Sequence, residues 1–140
     1  MNKDQIIFLI GRIQYKANKF LVWEMNAQNI NGLAPSHGEI LGALIFRGAL
    51  SMTEIAKIIG KDKSTITALV NKLIRLGYVE KRKHGTDNRF SLIAVTPKGE
   101  ALKPVFIAIA RKLRARSYKD IPDEERETLA RLLMKLNENL

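Results

Sequence analysis

The chain has 140 residues, with 24 Lys plus Arg against 14 Asp plus Glu and a formal net charge of +10. Its length suits one domain and its 46% hydrophobic content excludes disorder throughout, while the absence of cysteine excludes a disulfide scaffold, thiolate metal sites and a cysteine nucleophile. No apolar run approaches the ~18 residues of a membrane span, and no cleavage site follows the apolar stretch 6–10, so the expectation is a soluble, cytoplasmic protein without signal peptide or membrane partner.

From residue 3 to about 29, Ile6, Leu9, Ile10, Ile13, Ala17 and Phe20 recur at helical spacing, and Trp23 extends the stripe. Asn29, Asn31 and Gly32 break it. After Pro35, Ser36 and Glu39 have the S-x-x-E spacing of a capping box, which predicts a helix carrying Ile40, Leu41, Leu44 and Ile45 inward and ending near Arg47 and Gly48. A second box, Ser51 with Glu54, opens a short helix with Ile55, Ile58 and Ile59 that stops at Gly60. Asp62 then caps a helix over 63–77, in which Ile66, Leu69, Val70, Leu73 and Ile74 form one apolar face and Gly77 is a left-handed terminator. The opposite face is small, polar and basic.

Two segments that lean toward strand, 78–82 and 90–95, are joined by 83–89 and predict a hairpin with a basic tip. Thr96 and Pro97 read as N-cap and first residue of a long helix reaching about Tyr118, lined by Leu102, Phe106, Ile109, Ala110 and Leu113. Pro122 opens a last helix, acidic in its first turn, with Leu129, Leu132, Leu133, Leu136 and Leu140 on one side.

Residues 51–100 are the most basic part of the chain, with ten basic against five acidic residues, densest from Lys81 to Arg89. A basic run alone is equally a solvated face, and for Arg111, Lys112, Arg114 and Arg116 both readings stay open. Around Lys81–Arg89 the context decides. Two short helices joined by a turn and followed by a hairpin make a winged helix-turn-helix, whose second helix fits the ~12 Å major groove of B-DNA. Lys63, Ser64, Thr65, Thr67 and Asn71 would face base edges or phosphates, and Asn71 can pair bidentately with adenine. The wing would bring Arg89 to the adjacent minor groove, with Lys81 and Arg82 on flanking phosphates.

The stretch Ser51-Met-Thr-Glu-Ile-Ala, the run from Asp62 through Gly77-Tyr-Val-Glu-Lys-Arg82, Asp87-Asn-Arg89 and Val95-Thr-Pro-Lys-Gly99 together resemble the MarR (multiple antibiotic resistance regulator) family, in the same order over essentially the whole chain. The resemblance implies a mainly α fold with a small β-hairpin wing, and an obligate-type homodimer through its N- and C-terminal helices that reads a pseudo-palindrome of double-stranded DNA. It implies that Arg89 is the wing arginine of the minor groove and Asp87 its wing-structuring partner, while Asn88 replaces a basic residue found in many members. On this reading residues 1–140 are a single domain: 34–96 form the winged helix-turn-helix lobe, and 1–33 with 97–140 the dimerisation helices. Ile6, Ile10, Leu133 and Leu136 would otherwise leave an apolar patch on a monomer.

The inventory for catalysis is poor, so no enzyme, no catalytic residue and no cofactor is expected. The two histidines, His37 and His84, are not at metal-ligand spacing, and no metal site is expected. The resemblance implies a small anionic aromatic effector bound between the dimerisation helices and the winged helix. Trp23, a packing residue or a stacking surface, and His37, a helix-surface residue or a pocket residue, are the candidate effector contacts. A sequence-specific transcriptional repressor, released by such an effector, is the expected function.

Overall fold

The computed structural model describes residues 2–84 and 87–140, and of these the side chains of all but 84 and 87–90. A 3-10 turn, Lys3–Gln5, leads into α1 (Ile6–Ala27). Then follow α2 (Pro35–Arg47), α3 (Met52–Ile59), α4 (Lys63–Arg75), the strands β1 (Val79–His84) and β2 (Asp87–Val95), α5 (Pro97–Glu100), α6 (Lys103–Ser117) and α7 (Asp123–Glu138).

The core lies beneath α4. Ile40, Leu41 and Leu44 of α2, Ile55 of α3, Ile66, Val70 and Leu73 of α4, and Val79 and Ile93 of the hairpin are almost wholly removed from solvent. Each such side chain contributes ~1.5–3 kcal/mol of burial, so this cluster fixes how α3 and α4 sit on α2. Met25 of α1 with Phe106 and Ile109 of α6 extend the same cluster.

Local capping matches the sequence at α3 and α4. The Ser51 hydroxyl accepts from Glu54 N–H at 3.1 Å, the Glu54 carboxylate accepts from Ser51 N–H at 3.1 Å, and Asp62 accepts from Thr65 N–H at 2.8 Å. Gly60 and Gly77 take φ of +76° and +81°, a region open to glycine without the Cβ penalty, and thereby end α3 and α4.

Four expectations are corrected. The box at the start of α2 is not Ser36 with Glu39. Pro35, with φ already helical and no N–H to satisfy, occupies the first turn, so Ala34 is the N-cap and its N–H donates to Nδ1 of His37 at 2.9 Å. His37 is accordingly buried rather than on the helix surface. The long helix after Thr96 is two helices, because Pro104 enters the first turn of α6 and its ring and missing N–H forbid continuation from α5. The strands run further into the expected loop, pairing Lys83 with Ser91 and His84 with Asp87, since cross-strand pairing outweighs the weak strand preference of a charged sequence.

The hairpin also gains a one-residue bridge in the place of a third strand, which periodicity does not suggest. Leu50, between α2 and α3, exchanges two backbone hydrogen bonds with Ile93, Leu50 N–H to Ile93 O at 3.0 Å and Ile93 N–H to Leu50 O at 2.7 Å. At the other end of the protein, α1 packs on α6 and is tied to it by Lys112 Nζ, 3.1 Å from the buried carboxylate of Glu24. Arg126 braces the corner into α7, donating from Nε to Ile121 O at 2.7 Å and from Nη2 to Tyr118 O at 3.2 Å. Beyond that corner α7 has no substantial packing partner among the described elements, and Leu129, Leu132, Leu133 and Met134 stay exposed, as do Ile6, Ile7, Phe8, Ile10 and Ile13 of α1. Among the described residues no helix is long and apolar enough to cross a membrane.

Candidate nucleic-acid interface

With one face of α4 closed by the core, its opposite face is presented outward by necessity. Lys63, Ser64, Thr65, Thr67, Ala68 and Asn71 are all exposed. Lys63, Thr67 and Asn71 follow one another at four-residue steps, about 6 Å of rise each, and so share a single ridge. Not all of the hydroxyls are free. Ser64 Oγ donates to Asp62 Oδ1 at 2.7 Å, and Thr67 Oγ1 donates to the Lys63 carbonyl at 2.8 Å, leaving each oxygen as an acceptor toward solvent.

Asp62 holds the first turn of this helix. The backbone N–H of Thr65, then the Ser64 hydroxyl and the Thr65 side chain, keep its carboxyl well below the ordinary 3.8, at about 2. A depressed folded value means that the cap's contribution is complete above the ordinary value and is lost as pH falls toward the folded one. Melting curves of the native protein are expected to lose more between about pH 4 and pH 2 than those of Asp62→Ala. Parallel losses in the two proteins would exclude the cap as a source of the acid response.

On the wing, strand alternation separates residues that the sequence placed together. Lys81 shares a face with Val79, Lys83, Ile93 and Val95, whereas Arg82 is on the other face with Glu80 and Leu92. Arg82 Nη2 lies 2.8 Å from Glu80 Oε1, a half-exposed pair of modest strength that a phosphate can displace. Lys81 and Lys83 are exposed. Asp87 and Arg89 belong to β2 by backbone; their side chains, like that of His84, lie outside the described residues.

The two residues expected near an effector are not brought together. Trp23 is 68% exposed and lines an open groove of about 760 Å³ between α1 and α6, with Phe20, Lys16, Lys19 and Arg116 around it. The Arg116 guanidinium stands 5.4 Å from the centre of the Phe20 ring. His37 lines neither this groove nor the smaller cleft of about 230 Å³ between α1, α2 and α6, which is bounded by Met25, Pro35, Phe46, Phe106 and Ile109. Burial first, and the Lys72 cation second, lower the pKa of His37 and favour the neutral ring that its capping bond needs. Among the described residues no group of three or more His, Cys, Asp or Glu side chains could hold a metal ion.

A model of the MarR family matches residues 31–89, from just before α2 into β2. Over that segment the chain is similar to the MarR family. Among the proteins similar to this chain is the HTH-type transcriptional repressor YetL of Bacillus subtilis (strain 168), 34% identical over 91 residues that make up 65% of this chain and 54% of YetL. The chain thus matches about half the length of that relative. A MarR protein from Peptoclostridium difficile superimposes with a TM-score of 0.86 at 21% identity, covering 99% of this chain and 89% of that one. The S. aureus MepR–DNA complex gives 0.85 at 20% identity, covering 100% and 99%. The MarR fold therefore extends beyond the matched segment to α1, α6 and α7.

Proposed function

We propose that this chain is a homodimeric, sequence-specific transcriptional regulator that binds a pseudo-palindromic site in double-stranded DNA, represses, and is released by a small effector. The observation that carries the reading is α4, a helix closed on one face by the core and open on the other with Lys63, Ser64, Thr65, Thr67 and Asn71. Such a helix is free to enter a major groove, with short polar side chains at the distance of base edges. That YetL is named a repressor and MepR was solved on DNA supports the same reading.

In this assignment residues 34–96 are the DNA-binding lobe, and 1–33 with 97–140 are the dimerisation helices. Lys81 and Arg82 meet flanking phosphates from opposite faces of the wing, Arg89 enters the minor groove, and Asp87 holds the wing. A second copy covers the exposed leucines of α7 and isoleucines of α1. In the binding-competent dimer the two copies of α4 stand about 34–36 Å apart, one turn of DNA. An effector releases the operator only by favouring a dimer with another separation. The groove beside Trp23, with Phe20 for stacking and Lys16, Lys19 and Arg116 for charge, has the chemistry for a small anionic aromatic molecule.

Selection of bound duplexes from a random pool tests the reading. The expected product is an inverted repeat with half-sites about one helical turn apart. Thr65→Ala and Asn71→Ala are expected to shift the selected bases as well as weaken binding, by roughly 5- to 150-fold per lost base contact, the equivalent of ~1–3 kcal/mol. A pool without consensus, or equal competition by unrelated duplex or RNA, would point to a non-specific polyanion binder and defeat the proposal.

A further inference from the structure

The end of α4 is held in an unusual way. A helix leaves its last carbonyls without partners inside the helix, and here three successive carbonyls at and just beyond the end of α4 are each taken by one short segment, the Thr96-Pro97-Lys98 turn. Lys98 Nζ donates to Leu76 O at 2.7 Å, Thr96 Oγ1 donates to Gly77 O at 2.5 Å, and Thr96 N–H donates to Tyr78 O at 3.0 Å. The Lys98 ammonium also stands 4.6 Å from the centre of the Tyr78 ring, and its charge complements the negative end of the α4 dipole. The Thr96 oxygen is used twice, since it accepts from Gly99 N–H at 3.2 Å and so caps α5 while it holds α4. Gly99 is buried directly against the Tyr78 carbonyl, where no side chain fits.

We infer that the Thr96-Pro97-Lys98-Gly99 turn is a clamp that sets the position of α4 relative to α6, with Thr96 and Lys98 as positioning residues for DNA reading. The inference rests on the function proposed above and adds to it the part that carries movement from the terminal helices to the recognition helix. The turn is suited to this by its place in the chain. It is continuous with α6 through only Glu100, Ala101 and Leu102, and it grips α4 by backbone carbonyls. A shift of α6 therefore moves the end of α4 directly, without passing through the core beneath it.

Lys98 is exposed, so Lys98→Met removes the ammonium while leaving the fold and most of the stem against Tyr78. Two measurements on the full-length protein are needed. Without DNA, amide hydrogen exchange at residues 75–78 is expected to quicken about tenfold, the loss of one charge-assisted hydrogen bond, with the core amides of α2 unchanged. With DNA, affinity is measured for the selected duplex and for versions with one base pair added or removed between half-sites. The native protein is expected to lose about tenfold or more at the altered spacings, and Lys98→Met only about threefold, because its α4 is less firmly placed. Lys98→Arg, which keeps the cation and donors, should restore both.

Unchanged exchange at 75–78 would overturn the clamp whatever the duplexes do. Quickened exchange with an unaltered spacing profile would make Lys98 a structural cap and overturn its positioning role, leaving the DNA-binding proposal intact. If the native protein discriminates neither sequence nor spacing, the functional proposal fails and the positioning role falls with it, while the exchange data still decide whether Lys98 holds α4.

Discussion

Gly99→Ala is expected to destabilise the protein by about 3 kcal/mol, at the upper end of the cost of overpacking, and to lower its melting temperature by roughly 10 °C. A Cβ at this position would enter the van der Waals shell of the Tyr78 carbonyl oxygen, and its nearest neighbours are all Tyr78 backbone atoms. Nothing at the end of a flexible side chain can yield. Either α5 lifts from the hairpin, releasing the Thr96 and Lys98 bonds, or the start of β1 moves and drags buried Val79 with it. Gly42→Ala is the matched control. It is also helical, but its Cβ would lie 3.9 Å from Phe106 in ordinary contact, so a small gain of up to ~1 kcal/mol in helix propensity is expected. Equal effects from the two changes would mean that the crowding at Gly99 is relieved without cost.

The second large effect is on association. Leu129→Glu combined with Leu133→Glu places two carboxylates one helical turn apart on the exposed stripe of α7. Neither leucine is buried within the protomer and α7 has no substantial partner there, so the circular dichroism of the protomer should persist. In a symmetric dimer the change counts twice. Four leucines at ~1.5 kcal/mol or more each amount to about 6 kcal/mol, over four decades in dissociation constant. Sedimentation at micromolar concentration is expected to find monomer, and binding to a two-half-site duplex should fall by roughly 10²–10⁴ as the second half-site ceases to be an intramolecular contact. A variant that still sediments as a dimer would remove α7 from the interface.

How much of this was legible in the sequence depends on the range of the interactions involved. The caps of α3 and α4 were readable because Ser51 with Glu54, and Asp62 with Thr65, are three residues apart and satisfy each other whatever surrounds them. The polar ridge of α4 followed from helical periodicity in the same way. The misreadings arose where two local signals competed. At α2 the S-x-x-E spacing of Ser36 and Glu39 was outweighed by Pro35, which fixes the first turn one residue earlier and turns His37 into the third-position partner. In the long helix the apolar stripe runs on smoothly past Pro104 and masks the break that the proline makes. Opposite faces for Lys81 and Arg82 were implied by a strand's period of two. By contrast, no local pattern announces that Thr96 and Lys98 reach back to carbonyls about twenty residues earlier, or that Leu50 pairs with Ile93. Those contacts exist only once the core has brought the segments together.

The pairing of Leu50 with Ile93 has a kinetic consequence. A two-stranded hairpin with a charged sequence is at best marginal in water by itself. Here its base is completed by a residue that precedes both α3 and α4 in the chain. Closing that loop carries an entropy cost that only the packing of α2, α3 and α4 can offset. The wing is therefore expected to form late in folding, after the helices that it flanks are in place.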